Sequence, residues 1–266
     1  MRSFPIMKKM PVLFVGHGSP MNAIEENEFS LGWRAIAKSI PEPEAILCIS
    51  AHWETRGTWV TAMEHPRTIH DFSGFPRSLF LVEYPAPGSP QLASETKQLI
   101  RETDIGLDDT WGLDHGTWSV IRNFFPDANI PVIQLSLDHF QKPQKHFDLA
   151  KELIKLRDRG VLIVGSGNMV HNLGLVAWDR LNEIGYGFDW ALEANDKMKK
   201  FIMEDDYRSL IDFRAQGKAF DLAVPTAEHY LPLLYTLALK EKNDTVTIFN
   251  DKPVAGSLSM TSILIS

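Results

Sequence analysis

The sequence predicts an α/β fold, a single domain over residues 1–266 with a central mixed, largely parallel sheet flanked by helices. Three observations predict it. Short continuous apolar runs read as strands buried on both faces. Stretches of helical periodicity lie between them, and that alternation makes a layered α/β architecture. A β-rich stretch from Thr245 onward breaks the alternation and makes the sheet mixed rather than purely parallel.

In chain order, the first strand is Val12–Val15, followed by a helix around Trp33–Ser39 and a strand at Ile46–Ile49. Thr58–Met63 alternates and reads as a further strand. Ser89-Pro90 reads as an N-cap with proline at the first helical position, ahead of Leu92, Ala93, Thr96, Leu99 and Ile100 on one face. After the strand Val132–Leu135, a helix runs from Gln144 to Arg159. Phe147, Ala150, Leu153 and Ile154 point inward, Gly160 stops it, and His146 reads as solvated. The strand Val161–Val164 follows, then helices at Trp190–Met203 and Leu231–Lys240, then strands at Thr245–Phe249 and Leu258–Ile265. No internal repeat or Ser/Gly-rich linker divides the chain.

Composition narrows the function classes. With 44% hydrophobic and 23% charged residues, the chain buries a substantial core and is not disordered. A net charge of −7 argues against nucleic acid as a partner, since that needs clustered Lys and Arg. Cys48, the single cysteine, forms no intrachain disulfide and reads as a small buried hydrophobe. The weakly basic segment MRSFPIMKKM leads into Val12–Val15, a run too short for a signal segment or a membrane span. The expectation is a cytoplasmic protein without a membrane partner. No heptad or exposed apolar stripe stands out, which fits a monomer or small homo-oligomer.

Five histidines sit where strand-like or loop segments end, among Gly, Ser and Asn: His17 in GHGSP, His52 in SAHW, His115 in DHGTW, His171 in GNMVHN and His229 in EHYLP. Imidazole binds divalent transition metals and transfers protons near neutral pH. In open α/β sheets ligands bind outside the carboxyl ends of the strands. His17, His52 and His171 each follow a strand run closely and can converge on one crevice there. His229 stands at the mouth of a helix whose first turn accommodates Pro232. His115 lies between Trp111 and Trp118, which offer walls for a flat apolar ligand, and Asp114 is a neighbour that can orient it. His70 lies in TIHDFSGFPRSLFLVEYPAPG, a long aromatic, Gly- and Pro-rich loop of the kind that forms lids and binding walls, giving His70 a substrate-side role. GHGSP is no phosphate loop, GSGNMV lacks the third glycine of a dinucleotide turn, and no GxSxG, HExxH or CxxC is present. A thiolate-free, histidine-rich site suits iron(II), zinc, copper or nickel. Residues alone do not choose among these. Zinc points to hydrolysis by activated water, and iron(II) with open positions points to oxygen chemistry.

The segments GHGSPMNA, SAHWETRGT, TIHDFSGFP, YPAPGSP, WGLDHGTWSV, IPVIQLSLD, GSGNMVHNL, TAEHYLPLLY and GSLSM, in that order, resemble the class III extradiol ring-cleavage dioxygenases, more narrowly their 4,5-DOPA dioxygenase extradiol-like branch. The resemblance runs from about residue 11 to the C-terminus. It implies an α/β domain with a non-haem metal centre that opens a catechol ring beside its two hydroxyls, using O2. It implies His17, His52 and His229 as metal ligands, His171 as ligand or acid–base residue, and His115 in the substrate pocket. His171 or His115 would then remove a phenolic proton and later return one. The wider class completes its iron site with a carboxylate, and here either Glu228 or His229 does so. Iron(II) is the metal expected for activity, and zinc suits an all-histidine site. The competing readings are a zinc-dependent hydrolase on the same scaffold and a non-catalytic metal-binding protein with a closed site.

Overall fold

The computed structural model describes residues 9–181 and 183–266; most of the basic N-terminal segment, residues 1–8, lies outside them. The elements in chain order are β1 (Val12–Gly16), α1 (Glu28–Ala37), β2 (Ala45–Thr55), β3 (Thr58–Thr61), α2 (Arg77–Phe80), α3 (Pro90–Leu99), β4 (Ile105–Asp108), α4 (His115–Phe124) and β5 (Val132–Asp138). They continue with α5 (Pro143–Lys151), β6 (Val161–Gly167), α6 (Asp189–Met203), α7 (Tyr207–Ile211), α8 (Lys218–Ala223), α9 (Leu231–Ala238), β7 (Val246–Phe249), β8 (Pro253–Val254), β9 (Leu258–Ser259) and β10 (Ser262–Ile265).

Eight strands form one sheet in the order β4-β3-β5-β2-β6-β1-β10-β7. Its centre, β5-β2-β6-β1, is parallel. The C-terminal β10 and β7 make it mixed, β10 running antiparallel to β1 and to β7. Alternate residues of the central strands feed two cores. Phe14, Leu47, Ile49, Leu135 and Ile163 face α5, α6 and α9. Leu13, Val15, Ile46, Cys48 and Val164 face α1 and α4. This is why the strand runs are apolar throughout: both faces are covered.

Several boundaries carry physical information. Ser89 accepts from the Leu92 amide and Pro90 opens α3, as its sequence predicts. The helix expected over Gln144–Arg159 ends at Lys151 and continues as 3-10 turns to Gly160, whose φ of 77° closes it. The run Leu258–Ile265 is two strands rather than one. β9 pairs with β8, and Ser259 and Thr261 side chains bond to each other and to Asn195 at the break. His146 is a correction: it is 3% exposed, not solvated. It lies one turn before Ala150 on the face of α5 that packs on α9, with Nδ1 3.0 Å from the Tyr235 hydroxyl.

Burial holds His146 neutral, pushing its pKa down to about 4 against a weaker upward pull from Asp138. The folded pKa lies below the unfolded value of about 6.5, so only the unfolded chain takes up this proton between those limits. The stabilisation is complete above about pH 6.5 and is lost as pH falls toward 4. His146→Gln keeps a polar partner for Tyr235, and between pH 7 and pH 5 it should lose about 2 kcal/mol less stability than the parent protein. Urea midpoints at the two pH values measure this; equal losses in both proteins would contradict it.

Candidate metal centre

Three parallel strands end side by side at the site. His17 follows β1 directly, and its amide donates to the Gly167 carbonyl at the end of β6 (2.9 Å). In β2 the ladder to β6 ends at Ser50 and the register with β5 shifts between Ile49 and Glu54. His52 sits in that irregular stretch. His229 arrives from the turn before α9, its carbonyl accepting from the Asn168 amide (2.8 Å). The glycines of VGSGN make this approach possible. A Cβ on Gly167 would lie 2.1 Å from the His229 carbonyl oxygen, and one on Gly165 2.5 Å from that of Pro232. Close packing, not dinucleotide binding, explains that motif.

One nitrogen from each of His17, His52 and His229 lies within 4.8 Å of the other two. His17 Nε2 and His52 Nε2 are 3.3 Å apart. Each ring has an oxygen beside Nδ1. Ser166 Oγ, 2.9 Å from His17 Nδ1, gives its own proton to the Gly116 carbonyl, so the His17 Nδ1–H must donate to it. Glu228 Oε1 lies 3.0 Å from His229 Nδ1, and Asp71 Oδ2 lies 3.6 Å from His52 Nδ1. A proton held on Nδ1, as in His17, leaves the Nε2 lone pair for a metal, the usual arrangement behind a metal-binding histidine.

Burial, then the neighbouring histidines, holds His17 and His229 well below the usual imidazole pKa. Burial and then His115 lower His52 to about 3, against upward pulls from Asp71 and Glu228. The His17 Nε2 lone pair faces His52 Nε2 at 3.3 Å, so the two nitrogens share either a proton or a cation. A tetrahedral ion with metal–nitrogen bonds of ~2.0–2.1 Å has nitrogen–nitrogen edges of about 3.3–3.4 Å. The donor set fits a divalent transition ion, and the His17–His52 edge has the spacing that such an ion needs.

The other sequence-predicted residues surround this group. His171 stacks flat on His229 with centroids 3.5 Å apart, and it forms a second cluster with Glu228 and His229 rather than joining the first. Burial lowers it to about 4, opposed by Glu228. His115 opens α4, and its ring centroid is 3.8 Å from that of His52. The bare Gly116 beside it leaves room for the His52 ring, since a Cβ there would lie 2.8 Å from His52 Cδ2. Asp114 does not orient His115. It caps α4 by accepting from the Thr117 amide and is tied to Ser50 and Gln134. Trp118 is fully buried and walls no cleft, its indole N–H donating to the Ile69 carbonyl. Trp111 stacks with Trp53. His70 packs against Trp118 and Phe72 with Nε2 2.9 Å from the Val82 carbonyl, one layer behind the five-histidine group.

Sequence reasoning missed Asp71. Its Oδ2 is 2.9 Å from His115 Nδ1 and its Oδ1 accepts from the His115 amide at 2.9 Å. Burial works to raise Asp71, but the bonds from His115 outweigh it and hold the carboxylate below its usual range. The only signal in the sequence is an acid inside the aromatic loop, next to His70. A cavity of about 440 Å³ opens beside Gly18, lined by Met21, Phe75, Leu258 and Met260 among others. Neither this cavity nor a larger groove between α1 and α4 has any of the histidines on its walls. Among the described residues no helix is long and apolar enough to cross a membrane.

Residues 10–205 match the family described as the catalytic LigB subunit of aromatic ring-opening dioxygenase. The 4,5-DOPA dioxygenase extradiol of Escherichia coli (strain K12) is 43% identical, over 97% of this chain and 95% of its own length. The enzyme of the same name from Mirabilis jalapa is 32% identical, over 86% of each chain. The crystal structure of an uncharacterized Escherichia coli K12 protein superposes with a TM-score of 0.83 at 39% identity, covering 97% of this chain and all of that one. By sequence and fold, the chain belongs to the LigB family of class III extradiol ring-opening dioxygenases and is an enzyme of that kind.

Proposed function

We propose that the enzyme opens the ring of DOPA or a related catechol with O2, using iron(II) held by His17, His52 and His229. The observation that carries this reading is the convergence of three imidazoles held neutral by burial, each bringing a nitrogen within 4.8 Å of the other two. Bound iron(II) would supply Lewis acidity toward the catechol oxygens and the electrons that dioxygen activation requires. Zinc fits the same donors but supplies no electrons. The zinc hydrolase reading is not favoured, because the named relatives are dioxygenases.

The protein's own work is to position the catechol and move its protons. His115, its Nδ1 beside Asp71, offers Nε2 as the base that takes a phenolic proton. The same His115 then returns that proton as the ring opens, and His171, kept neutral by burial and stacked on His229, is the other imidazole able to take and return it. Phe72, edge-on to His115, helps to keep water from the ring. His70 serves the substrate side indirectly, by bracing Phe72.

Loading with iron(II) without air, then measuring oxygen uptake across a panel of catechols, tests this reading. It expects one O2 consumed per catechol and a coloured ring-opened product; zinc-loaded protein should consume none. His115→Ala and His171→Ala should each lower turnover by about 10²–10⁴-fold while changing catechol binding much less. Unchanged turnover in both variants would remove them from the chemistry.

A further inference from the structure

One carboxylate stands behind two of the histidines. Asp71 Oδ2 lies 2.9 Å from His115 Nδ1 and 3.6 Å from His52 Nδ1, ion-pair contacts rather than aligned hydrogen bonds, while Oδ1 takes the amide proton of His115. The two rings it serves are themselves in contact, centroids 3.8 Å apart and inclined at 45°. Asp114, the nearest alternative by sequence, is committed to Ser50, Gln134 and the Thr117 amide. Among the described residues no other carboxylate comes within ion-pairing distance of either ring. The acid is carried by the aromatic loop, and the next residue, Phe72, packs edge-on against His115 at 5.5 Å. Asp71 is therefore positioned by the docked loop, not by the sheet that carries His52.

We propose that Asp71 is a shared positioning residue, its negative charge beside Nδ1 of both His52 and His115 favouring the Nδ1–H tautomer of each, so that one ring presents Nε2 to the metal and the other to the substrate. This rests on the reading of His52 as a ligand and His115 as the proton-transferring group. The consequence is coupling. The loop that encloses the substrate also completes the metal centre and sets the base, so neither is fully formed unless the loop is docked.

Asp71→Asn is the informative variant because it is isosteric. Its amide oxygen stays with the His115 backbone N–H, which points the new NH2 at both Nδ1 atoms. Donors then face donors, and His115 must move its proton to Nε2, where it cannot act as a base. Loss of such an outer partner costs about 10- to 100-fold in metal affinity or activity. The expected result in Asp71→Asn is a kcat lower by about 10- to 100-fold with KM for the catechol changed much less. Zinc affinity, read by chelator competition without substrate, should fall about tenfold. Long-range 1H–15N spectra of the zinc-loaded protein should place the His115 proton on Nδ1 in the parent and on Nε2 in the variant. Asp71→Glu, which restores the acceptor, should recover part of the kcat.

Parent-like kcat and zinc affinity in Asp71→Asn would overturn the proposal. So would equal losses in the Asn and Glu variants that follow a lowered melting temperature, since that is the signature of a merely structural loop contact. A second equivalent of zinc bound by the parent and lost in Asp71→Asn would make Asp71 a ligand instead, and would also overturn it. If the parent shows no catechol-dependent oxygen uptake, the dioxygenase reading fails by itself, and the zinc and tautomer measurements still decide the role of Asp71.

Discussion

His229→Ala should abolish metal retention and turnover together while leaving the fold in place. The ring is one of three that each bring a nitrogen within 4.8 Å of the other two, and on the proposed assignment its removal leaves two protein ligands. The loss in metal affinity should exceed the 10- to 100-fold typical of losing an outer partner. Turnover should fall by at least as much. Stability should change far less, because the ring is neutral in the folded protein and its backbone bond from the Asn168 amide persists. A cost of about 1–3 kcal/mol is the usual range for a buried truncation of this kind. Glu228→Gln makes the comparison sharp: Glu228 stands behind His229 Nδ1 and outside the three-histidine group, so it should show only the outer-partner loss. Metal content after dialysis, with oxygen uptake and a melting curve, checks all three. If Glu228→Gln lost the ion and His229→Ala kept it, the two roles would be reversed.

The second large effect comes from a residue with no side chain. Gly167→Ala places a Cβ, fixed rigidly to the strand, 2.1 Å from the backbone carbonyl oxygen of His229. Relief requires about 1 Å of movement between β6 and the turn before α9. Overpacking of this severity costs about 1–3 kcal/mol, and breaking the bond from the Asn168 amide to His229 adds about 1 kcal/mol. The movement also carries His229 away from His17 and His52, and a misplacement of about 1 Å costs on the order of 10²-fold in rate. Gly174→Ala is the control, since its Cβ would come no closer than 3.3 Å, to the Asn172 side chain. Parent-like melting and turnover in Gly167→Ala would mean that β6 and the α9 turn are not in close contact.

How much of this was legible in the sequence follows from how local each signal is. The four central strands are buried on both faces, so each announces itself as a short apolar run. His17 and His52 are readable as members of the histidine group because they stand at or near the ends of two such runs. α4 was not readable as a helix. It contains Gly116, Thr117, Trp118 and Val120, all modest or poor helix formers, and it forms because almost its whole length is buried against β2 and α1. His146 was misread because its charged neighbours hide the face that meets α9. The choice between Glu228 and His229 depends on the rotation of one turn lying on bare glycines of β6, a contact between segments 62 residues apart (229 − 167). Asp71 was invisible for the same reason: its partners, His52 and His115, lie 19 and 44 residues away (71 − 52 and 115 − 71).

X-ray absorption on the metal-loaded protein, with and without an added catechol and in the absence of air, bears most directly on three imidazoles sharing one ion that keeps room for substrate. The expected spectrum has three histidine nitrogens in the first shell, at ~2.0–2.1 Å when zinc is the ion. With iron(II), a catechol should add light scatterers while all three nitrogens stay. An ion without imidazole ligands, or a first shell that a saturating catechol leaves unchanged, would contradict both the assignment of His17, His52 and His229 and the ring-opening chemistry built on it.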